Sequence, residues 1–394
     1  MRKNLFFIVL TLLSSFCFGQ EKDSTNTHLV DAIDIVHFVL GRKREPDSVK
    51  NSDLTKGSLT FIPGFAYSQL KGLALVVEGN YSFKTADNTN VSVIRFVPEV
   101  TLKKYVIPRI TSSIWFKDNK FNLSTDWRFY RFLAVDYGLG SSTNSENFNN
   151  YELKYVRFHQ ILSKSVHENL LVGVGYNLDM RYDIKRLETE INTNSSAYNL
   201  QNRTVSSGLL ANVLFDSRKN ENFPVGGETY AQISLNQNLK SLGASSNYRS
   251  FYSDLRKYYS VNQSKTNILA LRYLNWFTFK GNTPYFDLPT ALGDMNNNIS
   301  RPYIEGRFRG KNLIYLESEY RFNLLKNEFL GAAVFLNTET FSEPISNKFK
   351  TFNIGTGASL RFKVNKKAKV FLVVSYGLAT QNGKGLFFNL GDVF

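Results

Sequence analysis

From about residue 57 onward the chain alternates apolar and polar residues, one for one, over stretches of more than ten positions. A period of two marks a β-strand with unlike faces, because successive side chains leave a pleated strand on opposite sides. Across 72–84, Leu73, Leu75, Val77, Tyr81 and Phe83 share one face, and Gly72, Ala74, Glu78, Asn80 and Ser82 share the other. Across 227–238, Ala231, Ile233 and Leu235 oppose Tyr230, Gln232, Ser234 and Asn236. Across 353–364, Ile354, Thr356, Ala358, Leu360, Phe362 and Val364 oppose Gly355, Gly357, Ser359, Arg361 and Lys363. Strands of soluble sandwiches run about five or six residues. Here they are longer, their polar faces carry glycine and small residues, and aromatics gather near their ends. That is the pattern of a barrel with lipid outside and a polar lumen. A soluble β-sandwich is the alternative, since it alternates too.

Candidate strands fall at 58–68, 70–84, 91–103, 106–117, 119–134, 149–165, 167–183, 204–217, 226–238, 247–259, 263–279, 311–325, 328–343, 350–364, 366–381 and 384–394. These make about sixteen, an even number as bacterial barrels prefer. Longer connectors fall near 136–148, 184–203 and 280–310, while Lys326–Asn327 reads as a short periplasmic turn.

The N-terminus sets the compartment. Arg2 and Lys3 precede the apolar run "NLFFIVLTLLSSF", which is short for a membrane span, and a polar segment follows. Residues 1–19 read as a secretory signal peptide, with a retained anchor as the alternative. Cys17, the single cysteine, would leave with it, which excludes disulfides and thiol chemistry. No later run of about 18 apolar residues predicts a transmembrane helix. Residues 20–56 form a short periplasmic segment, and in it Leu29, Ile33, Val36 and Leu40 recur at helical spacing. Asp31 and Asp34 lie in the early turns, and Gly41 follows the end. An amphipathic helix is expected over 29–40, either plugging the lumen, lying on the membrane or packed at the periplasmic rim. The barrel itself is expected over 57–394.

A net charge of +15 admits nucleic acid, anionic lipid or acidic glycans as partners. The charges are dispersed and no aromatic-interleaved motif accompanies them, so nucleic acid is not expected. His28, His37, His159 and His167 form no helical metal pair, and no phosphate loop or nucleophile elbow occurs. The chain reads as non-enzymatic, with no catalytic residues, metal or cofactor.

One constellation stands out. The Gly/Asn/Arg-rich stretch "LPTALGDMNNNISRPYIEGRFRGKN" precedes a strand that places Tyr315, Glu317, Glu319 and Arg321 on one face and Ile314, Leu316, Tyr320 and Phe322 on the other. Lipid does not accommodate the charged face, so it points into the lumen. A loop arginine folded inward would meet those carboxylates, two parallel hydrogen bonds joining the pair. The alternative is a solvated extracellular loop.

With these motifs the sequence resembles the BamA/TamA outer-membrane proteins, the bacterial surface antigen family, over nearly the whole exported chain and most strongly from about 204. "VLFDSRKNENFPVGGETY" resembles that family's mid-barrel strand–turn motif, with Asp216, Arg218, Pro224 and Gly227 at matching places. "SRPYIEGRFRGKN" resembles the inward-folded loop before strand 12, with Arg301 and Tyr303 matching and Gly306 and Arg307 following. "LESEYRF" resembles the next strand, with Glu319 as the carboxylate that the loop arginine meets, aided by Glu317. "FLGAAVFLNTETF" resembles the strand after it. "FFNLGDVF" resembles the closing strand, with Phe388, Leu390, Gly391 and a final aromatic, Phe394. Two positions depart from the pattern: Pro302 replaces a glycine, and Asn337 replaces a second carboxylate. The family's assembly and secretion factors also carry periplasmic POTRA domains. Roughly 35 residues between signal and barrel are too few for one.

The resemblance implies an all-β transmembrane antiparallel barrel in the Gram-negative outer membrane, with a short N-terminal helix and an inward loop before strand 12. It implies assistance with insertion or translocation of proteins, or of lipid. A weak seam between first and last strands would template an incoming strand. Outer-membrane lipid is the expected surrounding, and periplasmic or outer-membrane protein partners would supply the POTRA-like part. Two other readings stand beside it. One is a passive channel made anion-preferring by Arg321, Arg361, Lys363 and the loop arginines. The other is a barrel scaffold within a larger envelope complex.

Overall fold

The computed structural model describes residues 29–32, 34–35, 57–68, 70, 72–103, 105–187, 193–194, 198, 200–263, 266–294, 298–366 and 370–394. They form one 16-stranded antiparallel sheet in which strands follow one another in sequence order. The strands are β1 (Ser58–Ser68), β2 (Gly72–Phe83), β3 (Ser92–Thr101), β4 (Val106–Trp115), β5 (Phe121–Asp136), β6 (Asn149–His167), β7 (Leu170–Arg186) and β8 (Thr204–Asp216). They continue as β9 (Thr229–Asn238), β10 (Tyr248–Ser260), β11 (Ile268–Phe279), β12 (Asn312–Asn323), β13 (Leu330–Phe341), β14 (Asn353–Asn365), β15 (Val370–Ala379) and β16 (Lys384–Leu390). The sheet curls until β1 lies beside β16, giving an all-β barrel.

The alternation assigns the faces. Leu59, Phe61, Leu73, Leu75, Ile233, Leu235, Leu316, Leu336, Tyr376 and Leu378 are exposed on the outside. Asp126, Arg128, Asp254, Arg272, Glu317, Glu319, Arg321 and Arg361 are buried on the inside. A soluble sandwich would hide the first set, so the inversion identifies a membrane barrel.

The lumen is filled with side chains. One apolar cluster joins Tyr151, Leu153, Tyr285, Phe286 and Leu288, and a second joins Leu274, Ile299, Tyr303, Phe308, Leu313, Tyr315 and Phe341. A third joins Tyr258, Ile268, Phe371, Val393 and Phe394. Two of the three draw residues from the 280–311 connector, and the third draws the residues that follow β16.

The two rims differ. Connectors after odd-numbered strands interlock at one rim: Gly140 N donates to Arg309 O at 2.7 Å, and Asn353 Nδ2 donates to Ser141 O at 3.0 Å. Connectors after even-numbered strands form the other rim, where Val30 N donates to Asn327 O at 3.3 Å and Lys366 Nζ meets Asp34 Oδ2 at 2.9 Å. Here Asp34 N donates to Asp31 Oδ1 at 2.9 Å and Asp31 N donates to Asp34 Oδ2 at 3.2 Å, a reciprocal helix-start cap. Ile35 N reaches Asp31 O at 3.3 Å, a helical bond. The expected 29–40 helix is not shown, since residues 33 and 36–40, like the signal peptide, lie outside the described residues.

One expected element is corrected. The closing strand was expected over 384–394, ending on Phe394, but β16 stops at Leu390. Gly391 takes a φ of 86°, a left-handed value that suits glycine and ends the strand. The chain then turns inward, and Phe394 is buried in the lumen.

Candidate functional site

The loop over 280–311 enters the barrel because its polar groups find partners there. Arg301 carries the main contact. Its guanidinium reaches Glu317 Oε1 and, at 2.9 Å, Glu319 Oε2, both on the inner face of β12. It also lies over the Phe335 ring at 4.2 Å. All three charged side chains are almost fully buried. Removing one partner from such a group strands a charge without water and costs about 3–5 kcal/mol. The solvated-loop alternative is therefore set aside: Arg301 is pinned inside.

The pairing extends along a chain of alternating charge. Glu319 also accepts from Arg321 at 2.7 Å, Arg321 meets Asp392 at 3.2 Å, and Asp392 meets Arg361 at 2.7 Å. Three arginines and three carboxylates thus link loop, β12, β14 and the segment after β16. The loop has a second anchor: Asp294 meets Arg272 of β11 at 3.2 Å, and Arg272 pairs with Asp254 of β10 at 2.8 Å.

Both departures from the family pattern find a physical answer. Asn337 is not a carboxylate for Arg301; its Nδ2 donates to Arg301 O at 2.6 Å, holding the loop main chain instead. Glu339, two residues along β13, accepts from the Ser300 hydroxyl. Pro302 follows a cis peptide bond and fits between two lumenal glycines. A Cβ on Gly355 would stand 2.9 Å from Pro302 Cδ and 2.7 Å from Arg301 O, and one on Gly377 would stand 3.0 Å from Pro302 Cβ. Those glycines make the room.

The remaining loop residues divide. Tyr303 donates its hydroxyl to Thr380 O at 2.9 Å, tying the loop to the β15–β16 turn. Gly306 has φ 82°, and a Cβ there would stand 2.6 Å from Val135 O, so the close approach to β5 requires glycine. Arg307 was expected in the lock, but Glu317 and Glu319 pair with Arg301, and Arg307 donates instead to Thr143 O at 2.7 Å in the 137–148 connector.

The mid-barrel motif lies at the opposite rim and does not touch the lock. Arg218 grips Asp216 with hydrogen bonds of 2.9 and 2.8 Å and stacks over Tyr230 at 4.3 Å. Pro224 lies in the 217–228 connector, and Gly227, at φ 95°, donates its N–H to Tyr258 O at 2.8 Å. In that connector Phe223 stacks on Phe371 at 5.4 Å, and Asp392 N donates to Asn222 O at 2.9 Å. His159 on β6, six strands along the sheet from Glu317 and Glu319 of β12, bonds Asp179 at 2.7 Å.

The seam is the other feature of the site. Each neighbouring pair from β1–β2 to β15–β16 forms a backbone ladder. Among the described residues no ladder joins β16 to β1, although the two lie edge to edge. Contact there is made by side chains: Tyr67 meets Phe388 edge-on at 6.1 Å, and a Cβ on Gly64 would stand 3.5 Å from Leu390 Cγ.

Sequence reasoning found Arg301, Glu317 and Glu319 and missed Asp392, Asn298 and Glu339. Asp392 was hidden because the closing strand was expected to run through it to Phe394. Asn298, which donates to Val393 O, lies in a run of asparagines that signals only a loop.

The fold and this site define a transmembrane β-barrel with an inward-docked loop. It aligns with BamA from Haemophilus ducreyi lacking POTRA domains 1–3, at TM-score 0.56 and 14% identity, over 86% of this chain and 70% of that one. It aligns with CdiB from Escherichia coli at TM-score 0.57 and 10% identity, over 87% of this chain and 63% of that one. CdiB from Acinetobacter baumannii matches at TM-score 0.55 and 12% identity, over 85% and 59%. The chain therefore spans less than two thirds of either CdiB. Identities this low speak for the fold. No protein-family model and no curated protein matches the sequence.

Proposed function

We propose that the chain is a non-enzymatic outer-membrane barrel that assists insertion or translocation of polypeptides, or of lipid, by opening between β1 and β16. The observation that carries this reading is the seam without a ladder. Unpaired strand edges are templates for an incoming strand. The likeness to BamA and CdiB barrels supports it at the level of fold, as does the resemblance of the loop motif. The rim of long connectors then faces the exterior and the rim of short turns faces the periplasm. A periplasmic partner would supply the substrate-receiving domains.

The channel reading loses three of its lumenal cations. Arg321 and Arg361 are neutralised by Glu319 and Asp392, and Lys363 meets Glu328 at 2.6 Å. Cations so paired offer a passing anion little free charge.

A disulfide tests the seam. Gly64→Cys with Leu390→Cys places two thiols across it. In proteoliposomes, the oxidised pair should slow insertion of an unfolded β-barrel client at least tenfold, and a reductant should restore it. Insertion at the unmodified rate with the bond formed would remove the seam from the mechanism.

A further inference from the structure

The connector between β8 and β9, residues 217–228, does not stay beside its own strands. β8 and β9 lie half-way round the sheet from the seam. Yet the tip of this connector, Glu221 to Phe223, touches both sides of the seam. Glu221 forms an ion pair with Arg95 of β3, on the β1 side. On the other side, Asn222 O accepts from Asp392 N at 2.9 Å, just beyond β16, and Phe223 stacks on Phe371 of β15 at 5.4 Å. Three successive residues thus bridge the mouth of the lumen. The sheet order places β2, β1, the seam and β16 between Arg95 and Phe371.

The connector is braced for this reach. At its base Arg218 grips Asp216 at 2.8 Å, and Gly227 N donates to Tyr258 O of β10 at 2.8 Å. Within it, the buried Glu228 carboxylate accepts from Lys219 N at 3.0 Å and from Val225 N at 2.9 Å. Nearer the tip, Asn220 Oδ1 accepts from Asn222 N at 2.9 Å. Main-chain groups of the turn are thereby satisfied inside the connector. A segment fixed in this way docks its tip at little further cost in entropy.

The two anchors differ in kind. On the β16 side Phe223 packs against an apolar cluster containing Phe371, Val393 and Phe394. Asn222 lies against Gly391, where a Cβ would stand 3.0 Å from Asn222 Oδ1. On the β3 side the Arg95 and Glu221 side chains are 35% and 44% exposed, and an ion pair reached by water contributes little. The tip is therefore held firmly to the end of β16 and loosely to β3.

We propose that the 217–228 connector is a strap that holds the seam closed from inside the lumen, and that parting of Glu221 from Arg95 is the step that frees β1–β3 to move away from β16. Phe223 keeps the strap on β15 while that happens. The inference rests on the reading of β1 and β16 as the edge that opens.

The test uses the full barrel in nanodiscs, in a cysteine-free background. Spin labels at Leu59→Cys and Leu386→Cys, both on the exposed outer face of the two seam strands, report the width of the seam by dipolar spectroscopy. Glu221→Gln should raise the longer-distance population about threefold, the scale of a water-exposed ion pair. Phe223→Ala should raise it about tenfold, the scale of a buried ring contact. Exchanging the charges, with Glu221→Arg and Arg95→Glu together, should return the distribution to that of the unmodified barrel. A distribution unchanged by Glu221→Gln, by Phe223→Ala and by both together would overturn the strap. Client insertion in proteoliposomes is followed with the same variants. A wider seam with insertion unchanged supports the strap and removes the insertion reading. An unchanged seam removes the strap and leaves the insertion reading to the disulfide between Gly64→Cys and Leu390→Cys.

Discussion

The wall around β12 and the seam between β1 and β16 are built from the same kind of strand, yet they are held in different ways. β12 pairs by full ladders with β11 and β13, and its inner face is cross-linked by Arg301, Glu317, Glu319 and Arg321 to the loop. At the seam, side chains meet but backbones do not pair, and β16 is the shortest strand of the sheet. The contrast teaches where this barrel can yield. A ladder bond contributes about 1 kcal/mol net, so each residue of missing pairing lowers the cost of opening that edge. The charge network ties the β12 wall, four strands from β16, to the loop while the edge opens.

The residues after β16 connect the two regions. Asp392 ties the end of the seam strand to Arg321 and Arg361, and Phe394 O accepts from Arg321 at 2.7 Å. The seam strand is thus fastened at its end to the rigid wall, through the same arginine that shares Glu319 with the loop.

Three substitutions break or sharpen this contrast. Arg301→Ala removes the central cation and leaves Glu317 buried with no cation partner among the described residues. It should destabilise loop docking by about 3–5 kcal/mol, read as a lower melting temperature of the folded gel band and protease cleavage within 280–311. Asp392→Asn loosens the tie between seam strand and wall. The loss of charge-assisted hydrogen bonds to two arginines should cost about 1.5–3 kcal/mol and raise amide exchange in β16 while leaving β12 protected. Tyr67→Ala removes one edge-on ring contact across the seam and should cost only about 0.5–1.5 kcal/mol, while accelerating client insertion.

How much of this was legible in the sequence depends on the physics involved. Strands were legible, because lipid on one side and a polar lumen on the other force a strict alternation; β1 runs from Ser58 to Ser68 as expected, and β12 and β13 end within two residues of expectation. The Arg301–Glu319 pair was legible through motif resemblance and because a charged strand face must point inward. The inward turn after Leu390 was not legible, since "FFNLGDVF" continues to alternate plausibly while Gly391 and Asp392 redirect it through contacts distant in sequence. Nor was the fit of Pro302 against Gly355 and Gly377. Lumenal glycines read only as small residues until the loop they accommodate is in place. Arg307 was grouped with Arg301 by proximity in the loop, but a turn at Gly306 sends the two side chains to different partners.

The most direct test of the seam is hydrogen–deuterium exchange of the barrel in nanodiscs, comparing amides of β1 and β16 with those of β12 and β13. The account predicts rapid exchange along β1 and along the β16 edge facing it, with β12 and β13 protected for hours. Equal protection of all four strands would show that β16 is laddered to β1, and would contradict the seam on which the proposed mechanism rests.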